Sequence, residues 1–201
     1  MKIAILGTGP VGIALGKAFV DKGHDVTFGS RSGTKEGLPA PVTTTKDAAA
    51  SADVILTALP GTATVSTLES VGDDVLAGKV ILDVSNAVSS DGTLAYPNDS
   101  VGRRVQERFP QAKVVKSLST MFHGVMTDPT AIGVTTVFLS GDDADAKITV
   151  KSLLSDLGWP ESSQLDLGGI ATAVGPEHYI PLFFASLAVV GTPMYNINVI
   201  H

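Results

Sequence analysis

The chain of 201 residues contains no cysteine. That absence excludes disulfide bonds, cysteine-ligated zinc, iron–sulfur clusters and thiol chemistry. The sequence has four histidines, and no two of them stand at metal-ligand spacing, so we expect no metal site. It also lacks the HExxH and GxSxG patterns, the usual signals of a zinc protease and of an α/β-hydrolase.

Basic residues and long apolar runs are also scarce. Lysine and arginine total 14 against 20 acidic residues, a net charge of −6, which argues against nucleic acid as a partner. The longest apolar run, over residues 180–191, contains Pro181 and is shorter than the ~20 residues of a membrane span. The first predicted strand begins at residue 2, leaving no room for a signal peptide. We therefore expect a cytoplasmic protein without a membrane partner.

The overall amino-acid composition is that of a globular domain. Hydrophobic residues make up 44% of the chain and charged residues 17%, enough apolar material for a substantial core. The length suits one domain. We predict a single dinucleotide-binding domain over residues 1–201, in which residues 160–201 form a C-terminal extension and not a separate domain.

The most informative segment is the amino-terminal one. An apolar run over residues 2–6 precedes a glycine-rich turn, a helical pattern follows over residues 13–22, and a second apolar run covers residues 25–29. This order is typical of a βαβ unit that binds a nicotinamide dinucleotide, with the pyrophosphate at the helix N-terminus. The residues that we assign to this part of the cofactor site are Gly7, Thr8, Gly9, Pro10, Val11 and Gly12.

The end of the second strand indicates which nicotinamide cofactor is bound. An NAD site places a carboxylate there to bind the ribose 2′-hydroxyl, but this chain has no acidic residue near that point until Glu36. It has Arg31, whose guanidinium can bind a phosphate with two hydrogen bonds, between Ser30 and Ser32, with Lys35 close behind. We therefore predict NADP(H) as the cofactor.

The rest of the chain alternates between strand and helix patterns. The predicted fold class is α/β, a doubly wound parallel sheet of the Rossmann type with a short C-terminal strand–helix extension. A long apolar helix is predicted to begin between Gly169 and Gly175 and to reach about Val190. Because it is apolar nearly all round, we expect it to be buried, either on its own sheet or in a homodimer interface.

In such sheets ligands bind beyond the carboxyl ends of the strands. Three segments follow predicted strands there, and from them we assign further cofactor-binding residues: Ala58, Leu59, Pro60, Asn86, Thr120 and Met121. No catalytic residue can be assigned firmly, and the candidates are Ser119 and His123.

With these segments in hand, the chain resembles the deazaflavin-dependent NADP oxidoreductase family. The resemblance is carried by residues 5–12, 23–31, 58–60, 79–86 and 114–120. It implies hydride transfer between NADP and the deazaflavin coenzyme F-420, with Ser30, Arg31 and Lys35 holding the 2′-phosphate. Many members carry histidine where this chain has Ser119, and a small residue or proline where it has Phe122.

Three functions are compatible with these features. The first is hydride transfer between NADP(H) and a flat small-molecule redox acceptor, a deazaflavin or a flavin. The second is reduction of a small carbonyl or imine substrate, with Ser119, His123 or Tyr179 as the proton donor. The third is a regulatory module that binds NADPH without catalysis, its acceptor pocket closed by Met121 and Phe122.

Overall fold

The computed structural model describes residues 1–200 and contains a single eight-stranded sheet. Its strands are β1 (Lys2–Leu6), β2 (Asp25–Ser30), β3 (Val42–Thr44), β4 (Val54–Thr57), β5 (Val80–Asp83), β6 (Lys113–Ser117), β7 (Val137–Gly141) and β8 (Gln164–Asp166).

The strand order is β3-β2-β1-β4-β5-β6-β7-β8, and the first six strands are parallel. The doubly wound α/β fold is therefore confirmed, with one correction to the expected parallel sheet. β7 runs antiparallel to β6, and Ser117 at the end of β6 is paired with Leu139. A parallel connection would have to bring the chain back to the end of the sheet where β6 begins. The segment between these strands forms only a short helix and a 3-10 turn, so β7 begins at the end of the sheet where β6 stops.

Nine α-helices lie between or after the strands within the described residues. They are α1 (Pro10–Asp21), α2 (Thr45–Ser51), α3 (Gly61–Val71), α4 (Asp73–Leu76), α5 (Val101–Arg108), α6 (His123–Thr127), α7 (Ala144–Asp156), α8 (Val174–His178) and α9 (Ile180–Val190). Short 3-10 helices cover Pro129–Ile132, Glu161–Ser163 and Ile170–Ala173.

A hydrophobic core lies on each face of the sheet. One core contains Leu15 and Phe19 of α1 together with Trp159, which follows α7. The other contains Leu68 of α3 and Val105 of α5, and Ile170 of the C-terminal segment completes it. The C-terminal extension therefore covers part of the second face, next to α5.

The predicted long C-terminal helix is broken, and its last part is not buried in this chain. The helix is interrupted at Tyr179, and Pro181 follows, which lacks the N–H that would continue the hydrogen-bond ladder of α8. Within α9, Leu182 is 58% exposed and Val189 is 88% exposed. The expectation of burial on its own sheet is wrong, which leaves the interface between two subunits as the alternative.

One helical segment, Ile170–Val190, is long and apolar enough to cross a membrane by length and composition, contrary to the expectation from the sequence. Its first half is tied to the domain, because the Glu177 carboxylate accepts hydrogen bonds from the backbone N–H groups of Val101 and Gly102 at the start of α5. The 11 residues of α9 alone extend about 16 Å, roughly half of a hydrocarbon core of about 30 Å.

Candidate active site

The glycine-rich turn connects β1 to α1 next to β4, where the strand order reverses. Gly7 has φ +127°, and a Cβ atom there would lie 2.2 Å from the carbonyl oxygen of Ala58. A Cβ atom at Gly12 would lie 2.2 Å from the carbonyl oxygen of Gly7. These two positions therefore require glycine for the turn itself and for the packing of α1 against it.

Gly9 and Pro10 face outward from this turn. Both are exposed, and a Cβ atom at Gly9 would meet no protein atom within 4 Å. Packing within the protein thus gives no reason for glycine at this position. The open space lies at the N-terminus of α1, whose N–H groups and dipole favour an anion. This arrangement suits the pyrophosphate of a dinucleotide, and Thr8 and Val11 flank it.

The loop after β2 brings the predicted phosphate-binding residues together. Lys35 Nζ donates to the carbonyl oxygen of Thr8 at 2.8 Å, with the Thr8 hydroxyl at 3.2 Å. Ser30 Oγ lies 3.5 Å from Ser32 Oγ. Arg31 is exposed, and no carboxylate in residues 1–200 lies within ion-pair distance of it. The loop therefore presents two cations and two hydroxyls beside the glycine-rich turn.

The residues after β4 lie beside the glycine-rich turn, at the carboxyl ends of the strands. Ala58 and Leu59 are half-buried, whereas Pro60 is exposed and is the N-cap residue of α3. A Cβ atom at Gly61 would lie 2.5 Å from the backbone nitrogen of Ala87. The start of α3 therefore packs directly on the turn that follows β5.

That turn carries Asn86, which meets the loop after β6. Asn86 Nδ2 donates to the carbonyl oxygen of Ser119 at 2.7 Å, and this bond leaves Oδ1 as an unused acceptor. Asn86 Oδ1 and Ser119 Oγ are both buried and have no hydrogen-bond partner within the described residues. Leu118 has φ +59°, a strained backbone conformation for a branched residue. Unpaired buried polar atoms next to a strained residue mark a place where a polar ligand group fits.

The residues that follow Ser119 are buried or partly buried. Thr120 and Met121 are buried, and the Thr120 hydroxyl donates to Asn196 of the C-terminal tail at 3.3 Å. His123 begins α6, with its ring centroid 4.0 Å from that of Phe122. Burial lowers the pKa of His123, which keeps the imidazole neutral at pH 7. No hydrogen bond in residues 1–200 joins His123 to Ser119, so the two candidates do not form a pair.

A cavity of about 370 Å³ opens beside Thr120. Its walls are mostly apolar, with Phe138 of β7 on one side and Leu182 of α9 on the other. His178 and Tyr179 also line it. Burial, and then the nearby Tyr195, raise the pKa of Tyr179, so its hydroxyl stays protonated. A larger cavity of about 610 Å³ lies near Lys113 at the amino end of β6, away from the glycine-rich turn.

A buried ionic cluster, which was not predicted from the sequence, lies at the ends of β5 and β6. Lys116 Nζ lies 2.8 Å from Asp83 Oδ2 and 3.0 Å from Glu177 Oε1, and all three side chains are buried. Burial lowers the pKa of Lys116, but the two carboxylates raise it more, so the amine is charged. Burial raises the pKa of Glu177, and Lys116 opposes this shift. The available signal was a lysine in the middle of an apolar strand.

The chain was compared with families and proteins already known. A family model described as NADP oxidoreductase, coenzyme F420-dependent, matches residues 2–87. The crystal structure of a candidate F420-dependent NADP reductase from Arthrobacter sp. FB24 superposes with a TM-score of 0.93 at 37% identity, covering 100% of both chains.

Two curated proteins are also similar. The F420-dependent NADP reductase of Methanocaldococcus jannaschii is 29% identical, over 78% of this chain and 80% of that protein. The metalloreductase STEAP3 of Rattus norvegicus is 30% identical over 86% of this chain, but only 35% of that protein is covered. The chain thus spans about a third of the length of the rat protein.

Proposed function

This chain belongs to the coenzyme F420-dependent NADP oxidoreductase family and is an NADP-dependent oxidoreductase, and on that premise we propose that it transfers hydride between NADP(H) and a deazaflavin. The observation that carries the proposal is the apolar cavity beside Thr120, next to the edge where Asn86 and Ser119 keep unpaired polar atoms. A flat ring system in that cavity would lie beside the nicotinamide end of a dinucleotide bound along the carboxyl edge of the sheet.

In this proposal the cofactor is held along the edge from β2 to β6. Gly9 and the start of α1 bind the pyrophosphate, while Ser30, Arg31, Ser32 and Lys35 bind the 2′-phosphate. The segment Ala58, Leu59 and Pro60 lies along the middle of the dinucleotide. Asn86 Oδ1 and Ser119 Oγ, with Thr120 and Met121 behind them, hold the nicotinamide end.

In this proposal the residues that line the cavity hold the nicotinamide and acceptor rings in position. NADPH, when bound, supplies the hydride, so little acid–base help is needed from the protein. The protein orients two flat rings and excludes water, and the apolar walls provided by Phe138, Leu167 and Leu182 suit both tasks. A flavin meets the same requirements and is the alternative flat acceptor.

Reduction of a small carbonyl or imine substrate is a second candidate. It is favoured by Tyr179, which lines the cavity and whose phenol is protonated at neutral pH. A protonated phenol could supply the proton that such a reduction consumes. His123 is neutral and does not line this cavity, so it is a weaker candidate donor.

We further propose that the chain acts as one domain in the cytoplasm and forms a homodimer through α9. Support comes from the described part of the C-terminal extension, residues 160–200, which contributes to the lining of the cavity and packs on the sheet, as Ile170 does in the second core. Four large apolar side chains of α9 are left exposed in the single chain: Leu182, Phe184, Val189 and Val190. Such a patch is typical of a subunit interface.

The deciding experiment is NADPH oxidation by the purified protein with coenzyme F420 or FMN as acceptor, and with NADH as the control donor. Reduction of F420 by NADPH, and not by NADH, is expected. Leu167→Trp fills the cavity and should raise the KM for F420 without changing the affinity for NADPH. Leu165→Trp adds the same bulk in a different cavity and is the matched control. NADPH binding without turnover of either acceptor would contradict the proposal.

A further inference from the structure

A row of polar residues crosses the sheet just inside the candidate site. Thr57, Asp83, Lys116 and Ser140 occupy paired register positions on β4, β5, β6 and β7. The Thr57 hydroxyl donates to Asp83 at 2.7 Å, and Ser140 is joined at 2.7 Å by the hydroxyl of Thr172 from the C-terminal segment. The row therefore runs under α5 and the C-terminal extension.

Lys116 is the centre of this row. An ammonium group has three N–H donors. Lys116 Nζ donates to a carboxylate oxygen of Asp83 and to the carbonyl oxygen of Ser85, and it forms an ion pair with a carboxylate oxygen of Glu177 at 3.0 Å. These three partners belong to three segments, namely the end of β5, the turn after it and α8. One side chain on β6 thus joins all three segments.

Two of these segments lead to the candidate site. The Ser85 turn continues into Asn86, which binds the Ser119 backbone. Glu177 precedes His178 and Tyr179, which line the cavity, and it is held by the first two N–H groups of α5 at 2.8 and 3.1 Å. Lys116 therefore lies between two parts of the candidate site. One is the turn that carries Asn86 and contacts Ser119, and the other is α8, whose His178 lines the acceptor cavity.

Stability alone does not explain three buried charges. Removing ions from water is costly, and apolar replacements of buried ionic clusters are often equally stable. Directional bonds, in contrast, set distances that apolar packing leaves adjustable. We propose that Lys116 is a positioning residue that sets the distance between two parts of the site, the hydrogen-bonded contact of Asn86 with Ser119 and the helix α8. This inference rests on the proposed function, which places the nicotinamide end of the cofactor at one side and the acceptor at the other.

Lys116→Met tests the inference, with Lys147→Met as the matched control at the partly exposed Lys147–Asp166 ion pair. Hydrogen exchange of residues 84–88 and 174–178 should accelerate by on the order of tenfold, while exchange in β1 and α1 stays unchanged. Affinity for NADP+ should fall about tenfold, whereas affinity for 2′,5′-ADP, which lacks the nicotinamide, should be retained. Wild-type exchange in both segments, or equal losses for the two nucleotides, would overturn it.

Glu177→Gln keeps the inference testable if Lys116→Met does not fold. This variant weakens the contacts of Glu177 with Lys116 and with the start of α5, but it leaves the bonds from Lys116 to Asp83 and to Ser85 in place. Exchange should therefore accelerate in residues 174–178 and not in residues 84–88. NADP+ affinity should be kept and the KM for coenzyme F420 should rise. Loosening of residues 84–88, or of neither segment, would contradict the arrangement. If the exchange pattern holds while F420 is not reduced, the proposed acceptor is wrong and the positioning role stands.

Discussion

We propose that the side chains at the end of β2 select between the two nicotinamide cofactors. A carboxylate there would repel a 2′-phosphate, whereas Arg31 would attract it. Arg31 is exposed, without a carboxylate within ion-pair distance in residues 1–200, and Lys35 reaches back to Thr8. The sequence predicts this group because its members lie within six residues of one another after a strand. The structure adds the contact between Lys35 and the glycine-rich turn.

Replacement of Arg31 by alanine should separate the two cofactors. A lost charge-assisted contact is worth about 2 kcal/mol, so NADPH affinity should fall on the order of thirtyfold. NADH affinity should barely change, because NADH carries no 2′-phosphate. Titration of intrinsic or nicotinamide fluorescence measures both. Arg103→Ala, at an exposed arginine of α5 paired with Glu107, is the control. Equal losses for NADPH and NADH would show that Arg31 does not contact the 2′-phosphate.

At the same scale, the buried cluster could not be predicted from the sequence. Lys116 and Glu177 lie 61 positions apart, and Asp83 is a further 33 positions before Lys116. A lysine within an apolar strand indicates a buried charge, but it does not indicate which residues pair with it. Only the sheet order and the return of the C-terminal segment bring them within hydrogen-bond distance, so the local sequence contains no signal of the pairing.

At the scale of elements, local patterns predicted the first two strands, the helix between them and the alternation of strands and helices, and tertiary contacts decided the remainder. The three-residue strand β3, which is too short for a periodic pattern, was not predicted. The sequence offers Asp142 and Asp143 equally as the cap of α7. In the structure Asp143 accepts from the N–H of Ala146, while Asp142 accepts from that of Ile170 at 2.9 Å. The distant C-terminal segment therefore determines which aspartate caps the helix.

The cap of α7 should contribute to a pH-dependent stability. The Ala146 N–H, and then Lys113, hold the pKa of the Asp143 carboxyl below its ordinary value of 3.8. A folded-state pKa below the unfolded value means that the contribution is present above pH 3.8 and lost as the pH falls through the folded pKa. Asp143→Asn keeps a capping oxygen and loses the charge. Its urea midpoint should be lower than that of the wild type at pH 7, and the difference should shrink as the pH falls below 3.8.

Asp143→Ala is the comparison for that experiment, because it removes the cap as well as the charge. Its midpoint should be lower than that of the wild type at both pH values. A deficit of Asp143→Asn that is unchanged at pH 3 would show that the charge is not responsible.

At the scale of the whole molecule, the distribution of apolar surface is uneven. Both faces of the sheet are covered, yet α9 is apolar and mostly exposed at the end of the chain, with Val189 at 88% exposure. The amino-acid pattern of α9 predicts burial, and the single chain does not provide it. A second copy would cover α9 next to the cavity wall formed by Tyr179 and Leu182.

The double variant Leu182→Ser with Phe184→Ser should therefore abolish self-association. At micromolar concentration the wild type should sediment at twice the mass of one chain and the variant at the mass of a single chain, because burial of large apolar side chains drives association. Ile148→Ser replaces an apolar residue of α7 that is 65% exposed, and it should leave the dimer intact. A wild type that sediments as a monomer would refute the homodimer.

The sequence alone determined the βαβ unit, the cofactor preference and the alternation of strands and helices, because these depend on residues close together in the chain. The turn at Gly7, the strand that precedes it and the Arg31 loop are local features of this kind. The tertiary structure alone decided the reversed β7, the unpaired atoms of Asn86 and Ser119, and the cluster around Lys116. These features depend on contacts between segments far apart in sequence. Such contacts form only when the strands have assembled into the sheet and the C-terminal extension packs on it.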